Sequence, residues 1–332
     1  MIMKPTSLHR RKKHSSRKKI ICAVALVLIF LATVTTWASF FMLNYSLKPT
    51  RTSAEKAYRD VFNQEPDAKP WIDSLKRNEE IIDTFINVRG ERRHAIIIKA
   101  PVKTNKVAVL VHGYNYCAVG MLGIGYMYNQ KLGYNIVLPD LYAHGCTDGN
   151  HINMGWNDRN DVILWIKIAD KLFADSSGHS QIVVHGVSMG AATTMCVSGE
   201  KDGAAPFIKC YVEDCGYTSV WDEFREQLKQ QFGMPEFPLL YTTSELCKLR
   251  YGWTFQEASP IKQLRKCHKP MLFIHGDNDT FVPTHMVYEL YAAKSQPKSL
   301  YVAKGSAHAK SYNDHRDEYY RVVKAFVSKY IH

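Results

Sequence analysis

The stretch 181–190, QIVVHGVSMG, constrains this chain more than any other ten residues. Its first half is a short apolar run of the kind that fills a strand buried on both faces, and it leads directly into Gly186-Val187-Ser188-Met189-Gly190. Gly-x-Ser-x-Gly between a strand and a helix is the nucleophile elbow, a sharp turn that lifts a serine hydroxyl above the sheet. Glycines belong at both flanks because a side chain there would strike the adjoining strand or helix. The residues that follow, AATTMCVSG, read as a helix whose N-terminal amides favour negative charge at the same spot. Five residues with three fixed positions recur by chance, so the reading depends on what surrounds them.

Strands and helices alternate around the elbow. Apolar runs at 93–99, 106–112, 134–139, 208–213, 271–275 and 299–302 read as strands, with helices at 160–173 and 312–330. Such alternation predicts a mostly parallel sheet covered by helices on both faces. The interval 217–264 breaks it with helical periodicity and many aromatics, among them Trp221, Phe224, Phe232, Phe237 and Trp253. An insertion following a strand's C-terminal end stands above the sheet, where ligands bind, so it reads as a small helical cap.

A serine hydroxyl needs a base to take its proton and an acid to orient that base, in loops after later strands. Both places are filled: Gly276-Asp277-Asn278-Asp279-Thr280-Phe281-Val282-Pro283 follows one strand and Lys304-Gly305-Ser306-Ala307-His308 the next. With His112-Gly113-Tyr114-Asn115 and Asp140-Leu141-Tyr142-Ala143-His144-Gly145, these motifs stand in the order found in α/β-hydrolases. The chain resembles that serine-hydrolase superfamily over about residues 92–331, and more narrowly the membrane-anchored or secreted bacterial esterase-like and serine-aminopeptidase-like hydrolases.

The resemblance implies Ser188 as nucleophile, His308 as general base and Asp279 as the orienting acid, with Asp277 as competitor for the last role. It also implies an oxyanion hole built from the backbone N–H groups of Tyr114 and Met189. The bulk of Tyr114, where many lipases carry glycine, is expected to narrow the acyl pocket. His112, His144 and His275 read as braces for loops and His185 as a core histidine. No metal-binding spacing and no dinucleotide fingerprint occurs, so no metal or cofactor is expected.

The start of the chain reads differently. Residues 20–42, IICAVALVLIFLATVTTWASFFM, carry no charge, and as a helix would measure roughly 34 Å, enough to cross a hydrocarbon core of about 30 Å. Residues 1–19 hold eight Lys/Arg and no acid, which accounts for most of the formal charge of +12 and leaves the rest near balance. That argues for a basic cytoplasmic tail and an extracytoplasmic domain rather than nucleic-acid binding. A cleaved secretion signal is the alternative. Residues 43–85 read as a juxtamembrane helical spacer and 86–332 as the hydrolase domain. Seven cysteines lie beyond the apolar segment, and Cys210 and Cys215 form the one close pair.

The function expected is hydrolysis of an ester, or of an amide, through an acyl-enzyme on a small-molecule or peptide acyl substrate. A peptidase on the same fold is one alternative, in which Glu223, Glu226, Glu236 or Glu245 would hold a substrate ammonium. An anchored binding protein without catalysis is the other.

Overall fold

The structure, a computed structural model, describes Ser7–His332, with side chains from Arg17 onward. Of the basic tail, 1–6 lie outside the described residues. Eight strands, β1 (Ile82–Val88), β2 (Glu91–Ile98), β3 (Lys106–Val111), β4 (Asn135–Pro139), β5 (Gln181–Val187), β6 (Ile208–Asp214), β7 (Met271–Gly276) and β8 (Lys298–Ala303), form one sheet in the order β1-β2-β4-β3-β5-β6-β7-β8. From β4 to β8 every neighbouring pair is parallel, while β1 and β2 turn the near edge antiparallel. This is the α/β-hydrolase fold expected, mostly parallel with helices on both faces.

The helices are α1 (Ser7–Leu47), α2 (Ala54–Gln64), α3 (Ala68–Arg77), α4 (Leu122–Tyr126), α5 (Asp158–Leu172), α6 (Met189–Ser198), α7 (Val220–Phe232), α8 (Leu239–Tyr251), α9 (Pro260–Leu264), α10 (His285–Ala293), α11 (Ser311–Asp314) and α12 (Arg316–Val327). The period-2 alternation of side chains divides the core into two layers. Val107, Val109 and Val184 face α5, α6, α10 and the cap, whereas Ala108, Leu110 and Val183 face α2, α3 and α12. The insertion between β6 and β7 is helical, as expected: α7, α8 and α9 supply it. Cys210 and Cys215 are both free, buried thiols.

Residues 43–85 depart from the spacer reading. Ala57 and Val61 of α2 and Ala68, Ile72 and Leu75 of α3 are buried against the sheet layer rather than standing clear of it. Tyr312 donates to Glu65 at 2.7 Å and Arg316 to the Gln64 carbonyl, tying α2 to the C-terminal helices. The edge strand β1 straddles the end of the same segment, from Ile82 to Val88. It closes a two-residue hairpin at Arg89-Gly90, both at positive φ (55° and 88°), with Asn87 accepting from the Gly90 amide.

The apolar helix also runs further than 20–42. α1 is continuous to Leu47, and one helix, Arg17–Leu47, is long and apolar enough to cross a membrane by length and composition. Its apolar residues from Ile20 to Phe41 are largely exposed, but Ser39, Leu43 and Leu47, one turn apart, are buried. Ser39 shares a hydrogen bond with Thr242 of α8 at 2.7 Å, and the Leu47 carbonyl accepts from Ile152 at 2.8 Å. Each buried leucine contributes about 2 kcal/mol, enough to hold the helix end on the cap.

Candidate active site

β5 ends at Val187, and Ser188 occupies φ 58°, ψ −120°, a backbone conformation costly for any L-residue with a side chain. The turn is over-determined by its neighbours. The Ser188 amide donates to the Asp214 carbonyl at the end of β6, at 2.8 Å. A Cβ on Gly186 would collide with the Gly190 carbonyl, and one on Gly190 with the Val111 carbonyl of β3, so the tight crossing requires glycine at both. Sequence and structure agree here on cause as well as outcome.

The loops after β7 and β8 bring the other two predicted side chains to the serine. Ser188 Oγ lies 2.8 Å from His308 Nε2, and His308 Nδ1 lies 2.7 Å from Asp279 Oδ2. The Nδ1–H donates to the carboxylate, so Nε2 presents its lone pair and the serine hydroxyl donates to it. Asp277 points elsewhere: its carboxylate accepts from the Gly305 amide, pinning one loop to the other.

Asp279 is held by four donors. Oδ1 accepts from the amides of Phe281 and Val282, at 3.0 and 2.9 Å, and Oδ2 accepts from His308 and, at 3.2 Å, from His275 Nε2. Burial alone would raise this carboxyl, but the hydrogen bonds from His275 and His308 outweigh it and bring it down to about 2. His275 Nε2 is shared with the Val282 carbonyl at 2.9 Å. The bracing role expected of His275 is thus joined by a contact with the acid itself. Only the closure of the loop after β7 brings residues 275 and 279 together, and the sequence carried no signal for it.

The loop 112–115 supplies the second half of the site. His112 Nδ1–H donates to the Gly113 carbonyl at 2.8 Å and Nε2 accepts from the Leu141 amide at 3.0 Å. His144 Nδ1–H donates to the Tyr142 carbonyl and Nε2 accepts from the Asn115 amide at 3.2 Å. Both imidazoles work in the neutral form, and burial pushes His144 down to about 3. The Asn115 amide is thereby consumed. Those of Tyr114 and Met189 donate to no acceptor among the described residues. Gly113 lets this loop approach the serine: a Cβ there would sit 3.3 Å from that of Ser188.

Two cavities meet at Ser188. One, of about 470 Å³, is lined mainly by apolar groups of the cap and by Met42, Tyr45 and Ser46 of α1. The other, of about 460 Å³, runs between α2 and the His308 loop and carries Asp60, Glu65, Lys310 and Asn313. Tyr114 stands between them. Its hydroxyl donates to the Ser46 carbonyl at 2.8 Å, so the side chain partitions the two spaces and braces α1 rather than simply narrowing one pocket. Of the four cap acids considered, Glu223 alone lines the larger cavity, buried, with Oε1 accepting from Gln227 and Oε2 unpartnered among the described residues.

Burial pushes the carboxyls of Glu213 and Glu223 up to about 8. An acid raised in the folded state contributes stability that is complete below its unfolded value and is lost as pH rises through the folded one. His144 and His185, both pushed down to about 3 by burial, act with the opposite sign, but only below about pH 6.5. Burial lowers His275, but its bonds to Asp279 and the Val282 carbonyl and the charges of Glu213 and Asp279 together raise it, so it acts in the same direction as the acids. Thermal stability is therefore expected to fall between about pH 6.5 and 8.5, by roughly 1 kcal/mol per pH unit for each raised acid, or several degrees in Tm. Glu223→Gln is expected to flatten that slope. A Tm that rises over the interval, or an unchanged slope in the variant, contradicts it.

A serine on a strained strand-to-helix turn, facing an imidazole and a carboxylate above a mostly parallel sheet, defines a hydrolase built on the α/β plan. The sequence profile of the alpha/beta hydrolase family matches residues 108–322, and the chain belongs to that family. It is 30% identical to the uncharacterized protein YqkD of Bacillus subtilis strain 168 over 230 residues, 69% of this chain and 73% of that one. Its fold is similar to that of the Pyrococcus furiosus esterase Pf2001, with TM-score 0.63 and 20% identity over 86% of this chain and 98% of that one. The acylaminoacyl peptidase of Pyrococcus horikoshii aligns with TM-score 0.55 and 17% identity, over 76% of this chain and 41% of that protein.

Proposed function

We propose that this protein is a membrane-anchored serine hydrolase that cleaves an ester through an acyl-enzyme on Ser188. The observation that carries this reading is the relay from Ser188 through His308 to Asp279, at 2.8 and 2.7 Å, beside two unengaged backbone amides. His308 takes the serine proton as Oγ attacks the acyl carbon, and Asp279 steadies the imidazolium that forms. The amides of Tyr114 and Met189 donate to the oxyanion, a contribution of about 10²–10³-fold in rate for each donor. His308 then passes the proton to the leaving alcohol, and a water activated by the same imidazole releases the acid and restores the serine. Residues 20–42 hold the enzyme in the membrane. The Lys/Arg cluster before them favours a cytoplasmic N-terminus and an extracytoplasmic domain.

A second reading, a peptidase taking a free N-terminus, draws support from Glu223, whose unpartnered oxygen lines the larger cavity. A substrate ammonium would ionise it. Treatment of the full chain with a fluorophosphonate is expected to label Ser188, and His308→Ala to slow labelling at least a hundredfold. Absence of any adduct would favour a binding protein without catalysis. On the same preparation, p-nitrophenyl esters are expected to turn over faster than aminoacyl amides. The reverse order, abolished by Glu223→Gln, would establish the peptidase.

A further inference from the structure

The helix that is apolar enough to cross a membrane is also a wall of the larger cavity. Met42, Tyr45 and Ser46 lie on one face of α1, at the i, i+3, i+4 spacing, and all three line the space that reaches Ser188. The adjoining face, Ser39, Leu43 and Leu47, is fixed against the cap. The apolar segment 20–42, at roughly 34 Å, already covers the hydrocarbon core, and Tyr45 follows Met42 about 4.5 Å further along the axis, ahead of the first charge at Lys48. Headgroup layers are about 5–7 Å thick on each side of the hydrocarbon core. A cavity wall that begins at Met42 therefore opens where the acyl chains of a bilayer begin.

Two further observations mark a route. Trp37, Phe41 and Tyr45 form a ladder one turn apart, with ring centroids 6.0 and 6.2 Å from each other, and Tyr45 meets Phe232 of the cap edge-on at 5.6 Å. The ladder leads out of the apolar segment to the cavity rim, where Phe232 is a lining residue. Beside it the turn between α7 and α8 exposes Met234 and Phe237, the latter 71% exposed. Large apolar groups set beside a membrane-crossing helix, with Trp and Tyr at the boundary, suit insertion into the interfacial layer. On the far side of Ser188 the second cavity carries Asp60, Glu65 and Lys310 with Asn313, while the first carries Glu223, Gln227 and Gln231 among its apolar groups. One cavity thus offers an apolar wall continuous with the bilayer, and the other offers charged groups of both signs.

We propose that the substrate is an acyl ester resident in the bilayer: its hydrocarbon chain enters the larger cavity along α1, and its polar alcohol occupies the second. This rests on the reading of Ser188 as nucleophile. The bond that breaks joins the acyl carbon to the alcohol oxygen. Serine Oγ takes the acyl group, the alcohol leaves with the proton from His308, and water releases the fatty acid.

The test uses the full chain in phosphatidylcholine vesicles, with a long-chain diacylglycerol as probe and p-nitrophenyl acetate as the water-soluble control. Diacylglycerol in the same bilayer as the protein is expected to be hydrolysed at least tenfold faster than diacylglycerol in separate vesicles. Apolar burial favours longer chains by about fourfold per methylene. Filling the cavity with Met42→Trp from α1, or with Leu239→Trp from the cap, is therefore expected to lower the ratio of decanoate to acetate turnover about tenfold or more. Acetate turnover and Ser188 labelling without diacylglycerol hydrolysis in the shared bilayer would overturn this proposal alone. So would an unchanged chain-length ratio in both variants. Loss of acetate turnover and labelling in the unaltered protein would overturn the nucleophile assignment, and this proposal with it.

Discussion

Replacing Ser188 by alanine is expected to lower ester turnover by about 10⁶-fold, leaving only what the oxyanion donors and binding supply. His308→Ala is expected to cost nearly as much, and the double variant no more than either alone, because the two side chains transfer one proton as a unit. Measuring kcat on p-nitrophenyl acetate for the three variants decides it: additive losses would mean that the 2.8 Å contact between them is not the reacting one. The backbone offers an independent check. Ser188 sits at φ 58°, ψ −120°, and strain of this kind costs of order 1–3 kcal/mol. Alanine keeps it, whereas glycine relieves it. Ser188→Gly is therefore expected to be as inactive as Ser188→Ala yet more stable by about 1 kcal/mol, as read from denaturant midpoints. A serine held only by packing shows no such gain. A site that retains the strain has a chemical reason to do so.

The elbow was legible because its constraints are local. Gly186 and Gly190 are required by contacts within ten residues and one neighbouring strand, and a motif records such contacts directly. The central strands β3, β4, β5 and β7 were legible for a related reason: being buried on both faces, they read as nearly continuous apolar runs. β1 was not, because it is a partly exposed edge strand: Ile82, Thr84, Ile86 and Val88 share one face, but Ile82 and Phe85 are substantially exposed and the strand follows directly on a helical segment. His275 escaped as a partner of Asp279 because a hydrogen bond across a loop depends on how the loop closes, which composition does not encode. The end of α1 is the most instructive case. Length and hydropathy mark 20–42 as an apolar unit, and residues 43–47, uncharged as far as Lys48, look like the start of a spacer. Yet Leu43 and Leu47 belong to the domain's core and Met42, Tyr45 and Ser46 to its cavity. A chain cut at residue 48 would lose a wall of the cavity along with the apolar helix. Hydropathy sees the solvent each residue prefers, and both bilayer and core prefer the same residues.

Asp279→Asn is expected to lower kcat by about 10⁴-fold, and Asp277→Asn to leave it within a few fold. The two aspartates stand two residues apart on one loop, and the difference between them lies in what each accepts. Oδ1 of Asp279 takes the amides of Phe281 and Val282, and these fix the carboxylate so that Oδ2 faces two imidazole N–H groups. An asparagine constrained by the same two amides keeps its carbonyl on them and turns its NH₂ toward His308. The imidazole then moves its proton from Nδ1 to Nε2, and a protonated Nε2 has no lone pair for the serine proton. His275 loses an acceptor in the same substitution, so a fall in Tm is expected alongside the fall in rate. Asp277 accepts one amide, that of Gly305, and holds the two loops together without meeting a titratable partner. Its loss is expected to cost about 1–2 kcal/mol of stability, as for a charge-assisted bond to a backbone amide, with little change in kcat once the protein is folded. Nitrogen-15 spectra of the imidazoles separate the cases: a proton found on His308 Nε2 in Asp279→Asn, and on Nδ1 in Asp277→Asn, is the expected pair. The opposite pattern of rates would move the orienting acid to residue 277 and require the loop to rearrange before each turnover.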